Sequence, residues 1–443
     1  MTRAAPNPAG EISTRALLAL AIPSVASALL NHAYRAVDLY AVQWLGMAAQ
    51  AALGSATFVL IATNALVILI SAGAAPLVAR ATGSGDTTLR RQVVGNALLA
   101  SVTVGVVVSI FFAVGADSIA SWLGLQGEPA AMLATYLRTL AVGGVVFALG
   151  PLVDACFFSM GNARLPLTLQ ILFTIANAAL NALFIYKLGM GIAGAAWASV
   201  VARAATAALG VAALWWSVRW SWADMWPSEA LRRVLRVGYP IAANLGAYAL
   251  VYWVLLAAVI SPLGPEVNAA LGVGFSALEG LAWPLFHGFE IAIASLVGRQ
   301  LGAGRIDGAE AASRLALPWT LGTGTAMAML FYVAAEPLCA FFVEDPRVLS
   351  EAVVYARVLA FSQLFVAIEA HTEGVLAGAG DTRSVFWWSV PMNIARVPLG
   401  WALAFPVGWG AAGVWWAINL TTYAKAAGKT AAVVWGRWKT LEI

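Results

Sequence analysis

Apolar runs follow one another along the whole chain, separated only by short polar stretches that carry glycine and proline. A helix needs about 20 predominantly apolar residues to cross the hydrocarbon core of a bilayer. The pattern therefore predicts twelve spanning helices, at about 16–44, 51–79, 93–114, 131–158, 165–186, 191–216, 237–260, 267–297, 315–335, 349–377, 385–406 and 410–435. Pro23, Pro151, Pro240, Pro284 and Pro391 fall in or near helix interiors. Neighbouring helices can satisfy the backbone groups that these prolines free, so bends are expected there.

The run from Thr14 to Gly46 is apolar enough to span, yet it carries Asp38 deep inside. On a 3.6-residue helix Ser24, Ser27, Asn31, Tyr34, Arg35 and Asp38 share an arc of about 100°, with leucines, isoleucine and valine over most of the rest. An ionised group at membrane depth costs at least ~2.5–3.5 kcal/mol, and such groups face a bundle interior or a cavity and mark function. An ion pair between Arg35 and Asp38, three residues apart on one face, is the competing structural reading. A polar stripe as long as the helix is more than one ion pair requires.

Of the 443 residues, 61% are hydrophobic and 10% charged, with a mean hydropathy of +0.83. Ordinary soluble domains carry roughly 25% charged residues, so this is a polytopic all-α membrane protein. No soluble catalytic domain fits between the apolar segments, which argues against an enzyme. The net charge of +4 and pI of about 9.2 come mainly from arginines in short loops and read as topology, not nucleic-acid binding. The polar start MTRAAPNPAGEISTR precedes a run too long for a cleaved signal peptide, so that run is expected to stay as the first span. Cys156 and Cys339 sit in or beside apolar runs and are expected to be packing residues.

Basic residues sort by side. Arg3, Arg15, Arg80, Arg90, Arg91, Arg164, Arg219, Arg232, Arg233, Arg236, Arg299, Arg305, Arg314, Arg383, Lys425, Lys429, Arg437 and Lys439 fall in what would be the inner segments. The outer loops hold Asp117, Glu128, Glu266, Glu336, Glu344 and Asp345 against few bases. This positive-inside asymmetry places both termini in the cytoplasm, with an even number of spans between them.

The chain repeats itself. RATGSG from Arg80 matches RQLGAG from Arg299, GNAR from Gly161 matches GDTR from Gly380, and GIAGAAWA from Gly191 matches GAAGVWWA from Gly410, each 219 positions apart. The order and constant shift predict two six-helix lobes, 1–216 and 237–443, joined by a basic cytoplasmic linker at 217–236. Six is even, so the lobes share one orientation in the membrane and should be related by an axis along its normal, with an alternately open cavity between them.

Few predicted helices carry polar groups at depth. The fifth has Gln170, Thr174, Asn177 and Asn181 on one face; the eighth has Ser276, Glu279, Trp283, His287 and Glu290; the tenth has Ser362, Glu369, Thr372 and Glu373. Amides and hydroxyls can serve as interhelical glue, but each acid must be protonated or paired. A carboxylate in a poorly hydrated cavity takes up a proton more readily than one in water. Asp38 is thus a candidate coupling site, and Glu279, Glu369 and Glu373 could hold a second proton, a sodium ion or a cationic substrate. The lobes differ chemically: Asp38 aligns with Leu255 and Glu279 with Leu60, whereas Asp154 aligns with Glu373. Tyr34, Trp283 and the many other aromatic residues would suit flat lipophilic cations. No phosphate-binding glycine loop with its lysine is present, and His32, His287 and His371 lie on different spans without metal-ligand spacing. No cofactor or metal is expected.

AIPSVASALLNHAYRAVDLYAVQWLG in the first span, LVGRQLGAG after the eighth, EGVLAGAGDTR after the tenth and the GIAGAAWA/GAAGVWWA pair together resemble the multidrug and toxic compound extrusion (MATE) family, in its DinF-like bacterial branch. The resemblance covers essentially the whole chain. It implies a monomeric transporter that exports small amphipathic, chiefly cationic organic compounds in exchange for protons or, less favoured, sodium. On this likeness Asp38 falls where the family has its first-span coupling acid, and Asn177 matches the fifth-span asparagine. Asn181 stands where some prokaryotic members have a second acid. Cation coupling is therefore expected at Asp38, Asn177 and Asn181, and substrate contact at Tyr34, Arg35, Glu279, Trp283, Glu369 and Glu373. Arg35 and Arg396 leave room for an anionic or zwitterionic substrate. Two rivals are a lipid-linked oligosaccharide flippase of the same superfamily, whose mark would be two further spans and a more cationic cavity, and an intramembrane enzyme, for which no paired metal or nucleophile constellation is found.

Overall fold

The computed structural model describes residues 10–443, apart from the side chains of Ala36, Phe58 and Ser276. Arg3 of the basic inner set and the Ser276 side chain of the eighth-span stripe lie outside the described residues. Among the described residues the secondary structure is helical, with no strand.

Each predicted span has its counterpart. The helices are α1 (Thr14–Val42), α2 (Met47–Ser84), α3 (Thr87–Trp122), α4 (Gly127–Ala141), α5 (Gly144–Ser159), α6 (Arg164–Asn181), α7 (Gly191–Val218) and α8 (Trp222–Met225). There follow α9 (Glu229–Leu255), α10 (Pro265–Val273), α11 (Glu279–Gly302), α12 (Ile306–Val333), α13 (Ala335–Ala340), α14 (Pro346–Ala379), α15 (Thr382–Ala404) and α16 (Gly410–Trp435). Eight helical stretches are long and apolar enough to cross a membrane by length and composition, and nine if the bent pair α4 and α5 counts as one span. The other three predicted spans are α12, α15 and α16, helices of 28, 23 and 26 residues. Their apolar character is diluted by threonine, glycine, tryptophan and proline, and in α16 by Lys425 and Lys429.

The expectation of one continuous helix over 131–158 meets a break of 61° between α4 and α5. The reason lies in Gly143 and Gly144. A Cβ on Gly144 would stand 3.1 Å from the Ser109 backbone nitrogen, and one on Gly105 would stand 2.9 Å from the Val145 nitrogen. Backbone thus meets backbone where α3 and α5 cross, a geometry that only residues without side chains permit. The eighth span is likewise interrupted, by a π turn at Gly274–Leu278 between α10 and α11. A second π turn, Ala182–Lys187, follows α6 directly.

The backbone carries the repeat as plainly as the sequence. Gly85 and Gly304 both adopt positive φ (74° and 71°), as do Gly161 and Gly380 (85° and 84°) and Gly191 and Gly410 (58° and 55°). All three pairs are 219 positions apart. At each, the chain leaves or enters a helix through the left-handed region, where glycine bears no steric penalty.

The chain packs as two compact units: Ala26–Ala242, and Ala243–Ile443 together with the segment ending at Val25. The opening turns of α1 thus pack with the second half of the sequence, and the opening turns of α9 with the first. Within one unit, α1 meets α11 where a Cβ on Gly288 would stand 2.8 Å from the Val25 nitrogen. Within the other, α9 meets α2 where a Cβ on Gly73 would stand 2.9 Å from the Val234 carbonyl carbon. Each unit has its own apolar core, one around Phe286, Tyr355 and Trp415, the other around Phe112, Tyr136 and Leu137. Cys156 and Cys339 are both free and buried.

Close glycine crossings predict where bulk is refused. At Gly378 of α14 a Cβ would lie 2.6 Å from Ala294 Cα of α11, whereas at Gly54 it would meet nothing within 4 Å. Gly378→Leu should lower the thermal unfolding midpoint in detergent, at an overpacking cost of about 1–3 kcal/mol or more. Gly54→Leu should leave the midpoint within error of the parent.

Candidate functional site

Asp38 is buried in α1. Its Oδ1 accepts a hydrogen bond from Asn181 Nδ2 at 2.6 Å, and its Oδ2 accepts one from Ser199 Oγ at 3.4 Å. Asn181 Nδ2 also donates to Asn177 Oδ1 (3.2 Å), and Asn177 Nδ2 donates to Ser199 Oγ (3.1 Å). A closed ring of four side chains from α1, α6 and α7 results. Asn177 and Asn181, one turn apart on α6, present their amides to α1 from the same face. The three expected coupling residues are thus brought together.

Arg35 is not part of this ring. Its side chain is exposed, and no ion pair joins it to Asp38 among the described residues. The competing reading of a neutralising pair is therefore replaced by hydrogen bonding from neutral donors. Asn181 Oδ1 is buried without a hydrogen-bond partner. Just beyond, Tyr186 in the π turn donates its hydroxyl to the Ala41 carbonyl at 2.9 Å, which ties α1 to the end of α6 one turn past Asp38. Such π turns recur at functional sites.

Sequence reasoning missed Ser199. It lies in the small-residue run GIAGAAWAS, where a lone serine reads as packing.

Of the six expected substrate residues, Tyr34 and Arg35 belong to the first unit and Glu279, Trp283, Glu369 and Glu373 to the second. Tyr34 sets its ring edge-on to Phe173 (centroids 5.0 Å apart), and the Arg203 guanidinium lies over the other ring partner, 3.7 Å from the Phe173 centroid. In the second unit Glu279 accepts from Gln363 Nε2 at 3.2 Å. Trp283 is half exposed and stacks on His287 (4.4 Å), whose Nδ1 lies 3.0 Å from Glu290.

Glu369 and Glu373 carry their own counter-ions. Lys429 Nζ lies 2.5 Å from Glu369 and also binds Glu373, and Lys425 Nζ lies 3.0 Å from Glu369. The Lys429 side chain is 0% exposed, so the network is buried. Lys425 and Lys429, counted with the inner basic residues, lie within helix α16, as the predicted span 410–435 has them, and pair with acids of α14. A usable signal existed: two acids and two lysines, each pair four residues apart, on two helices. Arg396, also fully buried, donates Nη1 to Tyr252 Oη (2.9 Å) and Nε to Thr421 Oγ1 (3.1 Å).

The MatE family model matches residues 23–183 and again 240–402, once in each half. The chain is 24% identical over 400 residues to a probable multidrug resistance protein NorM of Thermotoga maritima, covering 88% of this chain and 84% of that one. It is 27% identical over 441 residues to the corresponding protein of Agrobacterium fabrum, covering 93% and 91%. Among solved structures it superimposes, with a TM-score of 0.89 and 21% identity over 98% of both chains, on a multidrug resistance MATE family transporter of the MOP superfamily in an outward-facing conformation. It also superimposes, with a TM-score of 0.86 and 22% identity over 98% of both chains, on a MOP superfamily transporter from Pyrococcus furiosus described as having a binding pocket of reverse polarity.

The lysine network makes a stability prediction. Removing one partner of a buried ion pair strands the other, at a cost of about 3–5 kcal/mol. Lys429→Met should therefore lower the thermal midpoint in detergent markedly. Adding Glu373→Gln to it should restore most of the loss, because Glu369 keeps Lys425.

Proposed function

The chain belongs to the MatE family, and on that premise we propose that it is a secondary active exporter that exchanges protons for small amphipathic organic cations. It is a transporter and not an enzyme. One observation carries the coupling assignment: Asp38 is a buried carboxylate met by two neutral donors, Asn181 and Ser199, and, among the described residues, by no fixed cation. A charge so placed is costly unless something neutralises it. A mobile cation that comes and goes fulfils that need and couples its own gradient to the state of α1.

A proton suits the ring better than sodium. Asn181 directs its Nδ2 at the carboxylate, where a metal ion would need an oxygen, and sodium-like hard cations take several oxygen ligands. An amide in place of a second acid also leaves the site one negative charge short of strong cation binding. Protonation converts one Asp38 oxygen from acceptor to donor, so the ring must rearrange around it. Exchange follows if proton and substrate favour opposite states, since a ligand shifts an equilibrium only by its differential affinity for the two.

Efflux of several compounds is supported by the names of the relatives, and placement in the DinF-like branch by the first-span string. Tyr34 and Trp283 are the aromatic contacts in this reading. Arg35, Glu279, Glu369 and Glu373 complete the substrate set, the last two after exchange with their lysines. The protein functions as a monomer, embedded in lipid, in the bacterial cytoplasmic membrane with both termini inside.

Transport in proteoliposomes under separately imposed pH and sodium gradients tests the coupling. With tetraphenylphosphonium as the transported cation, the parent should respond to the pH gradient, and Asp38→Asn should lose about tenfold or more of that response. Undiminished transport by Asp38→Asn would make the residue structural, and loss confined to Glu369→Gln or Glu373→Gln would move coupling to the second half. Green fluorescent protein fused after Ile443 should fluoresce in a bacterial host, and an alkaline phosphatase fusion at the same point should be inactive.

A further inference from the structure

The linker between the two halves is seated on a helix of the first unit. Residues 219–228 join two stretches that are each long and apolar enough to cross a membrane, Gly191–Val218 and Glu229–Leu263. Asn96 of α3, 1% exposed, grips this segment with both ends of its amide. Its Nδ2 donates to the carbonyls of Asp224 (2.8 Å) and Trp226 (3.0 Å), and its Oδ1 accepts from the backbone N–H (2.9 Å) and hydroxyl (3.1 Å) of Ser228. Gly95 beside it makes the approach possible, since a Cβ there would stand 2.6 Å from the Asp224 carbonyl carbon.

This seat sets the level of the linker in the bilayer. At 1.5 Å per residue Asn96 lies about 14 Å along α3 from Thr87, and Trp122, 79% exposed at the far end, lies about 39 Å beyond Asn96. A bilayer measures about 40–45 Å with its head groups and about 30 Å without them. The levels of Asn96 and Trp122 therefore fall in opposite head-group layers. The start of α3 projects past the linker into water, and the linker lies down in the membrane surface.

The side chains it turns outward suit that layer. Trp222 and Trp226 are 78% and 75% exposed, and an indole, apolar in body with one N–H, favours the boundary between head groups and acyl chains. Arg219, Arg232 and Arg236 are exposed as well, the last two one turn apart on α9. The nearby acids are answered from within: Asp224 accepts from the Ser221 N–H and hydroxyl (both 2.8 Å), and Glu229 lies 3.9 Å from Arg232. Arg219 sets the face of its guanidinium over Trp215 and Trp216, 4.9 and 4.5 Å from the ring centroids. Its N–H groups lie in the guanidinium plane, the fork that phosphate oxygens match.

We propose that the linker is a membrane-surface strap that binds the phosphate head groups of anionic phospholipids. The tryptophans hold it at the acyl boundary, and the arginines select negative charge. A basic cluster beside a membrane span is drawn to an anionic leaflet, whereas a second copy of the chain would bring the same positive charge to this face. The strap and its seat belong to one unit. Lipid binding here rests on the chain being a membrane protein, and not on coupling at Asp38 or on the compound exported.

Two measurements on the full chain in nanodiscs of mixed phosphatidylcholine and phosphatidylglycerol test this. A nitroxide on Ala223→Cys, an exposed position between the two tryptophans, reads depth, with the parent treated alike as background for the buried Cys156 and Cys339. The label should relax more strongly with oxygen than with a water-soluble nickel chelate. Preference for the chelate, as on an aqueous loop, or access to neither, as under a second copy or another protein, would overturn the proposal. Spin-labelled phosphatidylglycerol should associate with the unlabelled parent at least about threefold more strongly than spin-labelled phosphatidylcholine. Arg219→Asn combined with Arg232→Gln and Arg236→Gln should bring the two lipids to parity. Asparagine tolerates the left-handed backbone of position 219 (φ 58°), and the other two side chains are exposed, so this variant should fold. Equal association of the two lipids with the parent, or a preference that survives the triple variant, would equally overturn it. Neither assay contains substrate or gradient, so lipid binding can fail while proton-coupled export stands, and the reverse.

Discussion

A carboxylate removed from water must be met by hydrogen-bond donors, by a fixed cation or by a mobile one, and the two halves of this chain meet that constraint differently. In the first half Asp38 receives amide and hydroxyl donors from α6 and α7 and, among the described residues, no fixed positive charge. In the second, Glu369 and Glu373 share Lys429, with Lys425 as a further partner of Glu369. The first solution leaves the negative charge to be neutralised from outside. The second neutralises it internally, which holds α14 to α16 and makes the acids available only to a competitor that displaces lysine.

Both solutions stand on one duplicated scaffold. Positive-φ glycines recur 219 positions apart at helix ends, and glycines at helix crossings let backbones approach where lipid tails would offer no competing hydrophobic drive. Gly374 and Gly378 of α14 against α11 show the device, since a Cβ at either would stand within 2.7 Å of the facing backbone. With the frame fixed by small residues, polar side chains could diverge between copies without changing the fold. Asp154 and Glu373 occupy equivalent places, yet one faces an arginine across a cleft and the other binds a lysine.

Much of the site was legible because membrane depth makes charge conspicuous. Asp38 stood out in an apolar run, and the four-residue spacing of Asn177 and Asn181 put both amides on one face. Ser199 was not legible, because a hydroxyl in a run of alanine and glycine satisfies its own helix as readily as a neighbour. Lys425 and Lys429 count among the inner basic residues in the sequence, because a charge towards a predicted helix end reads as topology until its partner is seen. Arg203 lies in the middle of a predicted span, and the reasoning that singled out Asp38 applies equally to it; its ring partner Phe173 lies on another helix, a contact that no periodicity along the chain encodes.

The sequence by itself determined the class, the twelve helices, the doubling and the places where charge enters the membrane, because these follow from apolar length, glycine position and a constant shift, all properties of neighbours along the chain. Only the tertiary structure decided which polar group answers which. Hydrogen bonds and ion pairs depend on distances of a few ångströms between residues far apart in the sequence, such as Asp38 and Asn181 or Glu369 and Lys429. It also decided that the fourth span breaks and that the start of α1 packs with the second half, since both depend on the contact a helix makes and not on its own composition.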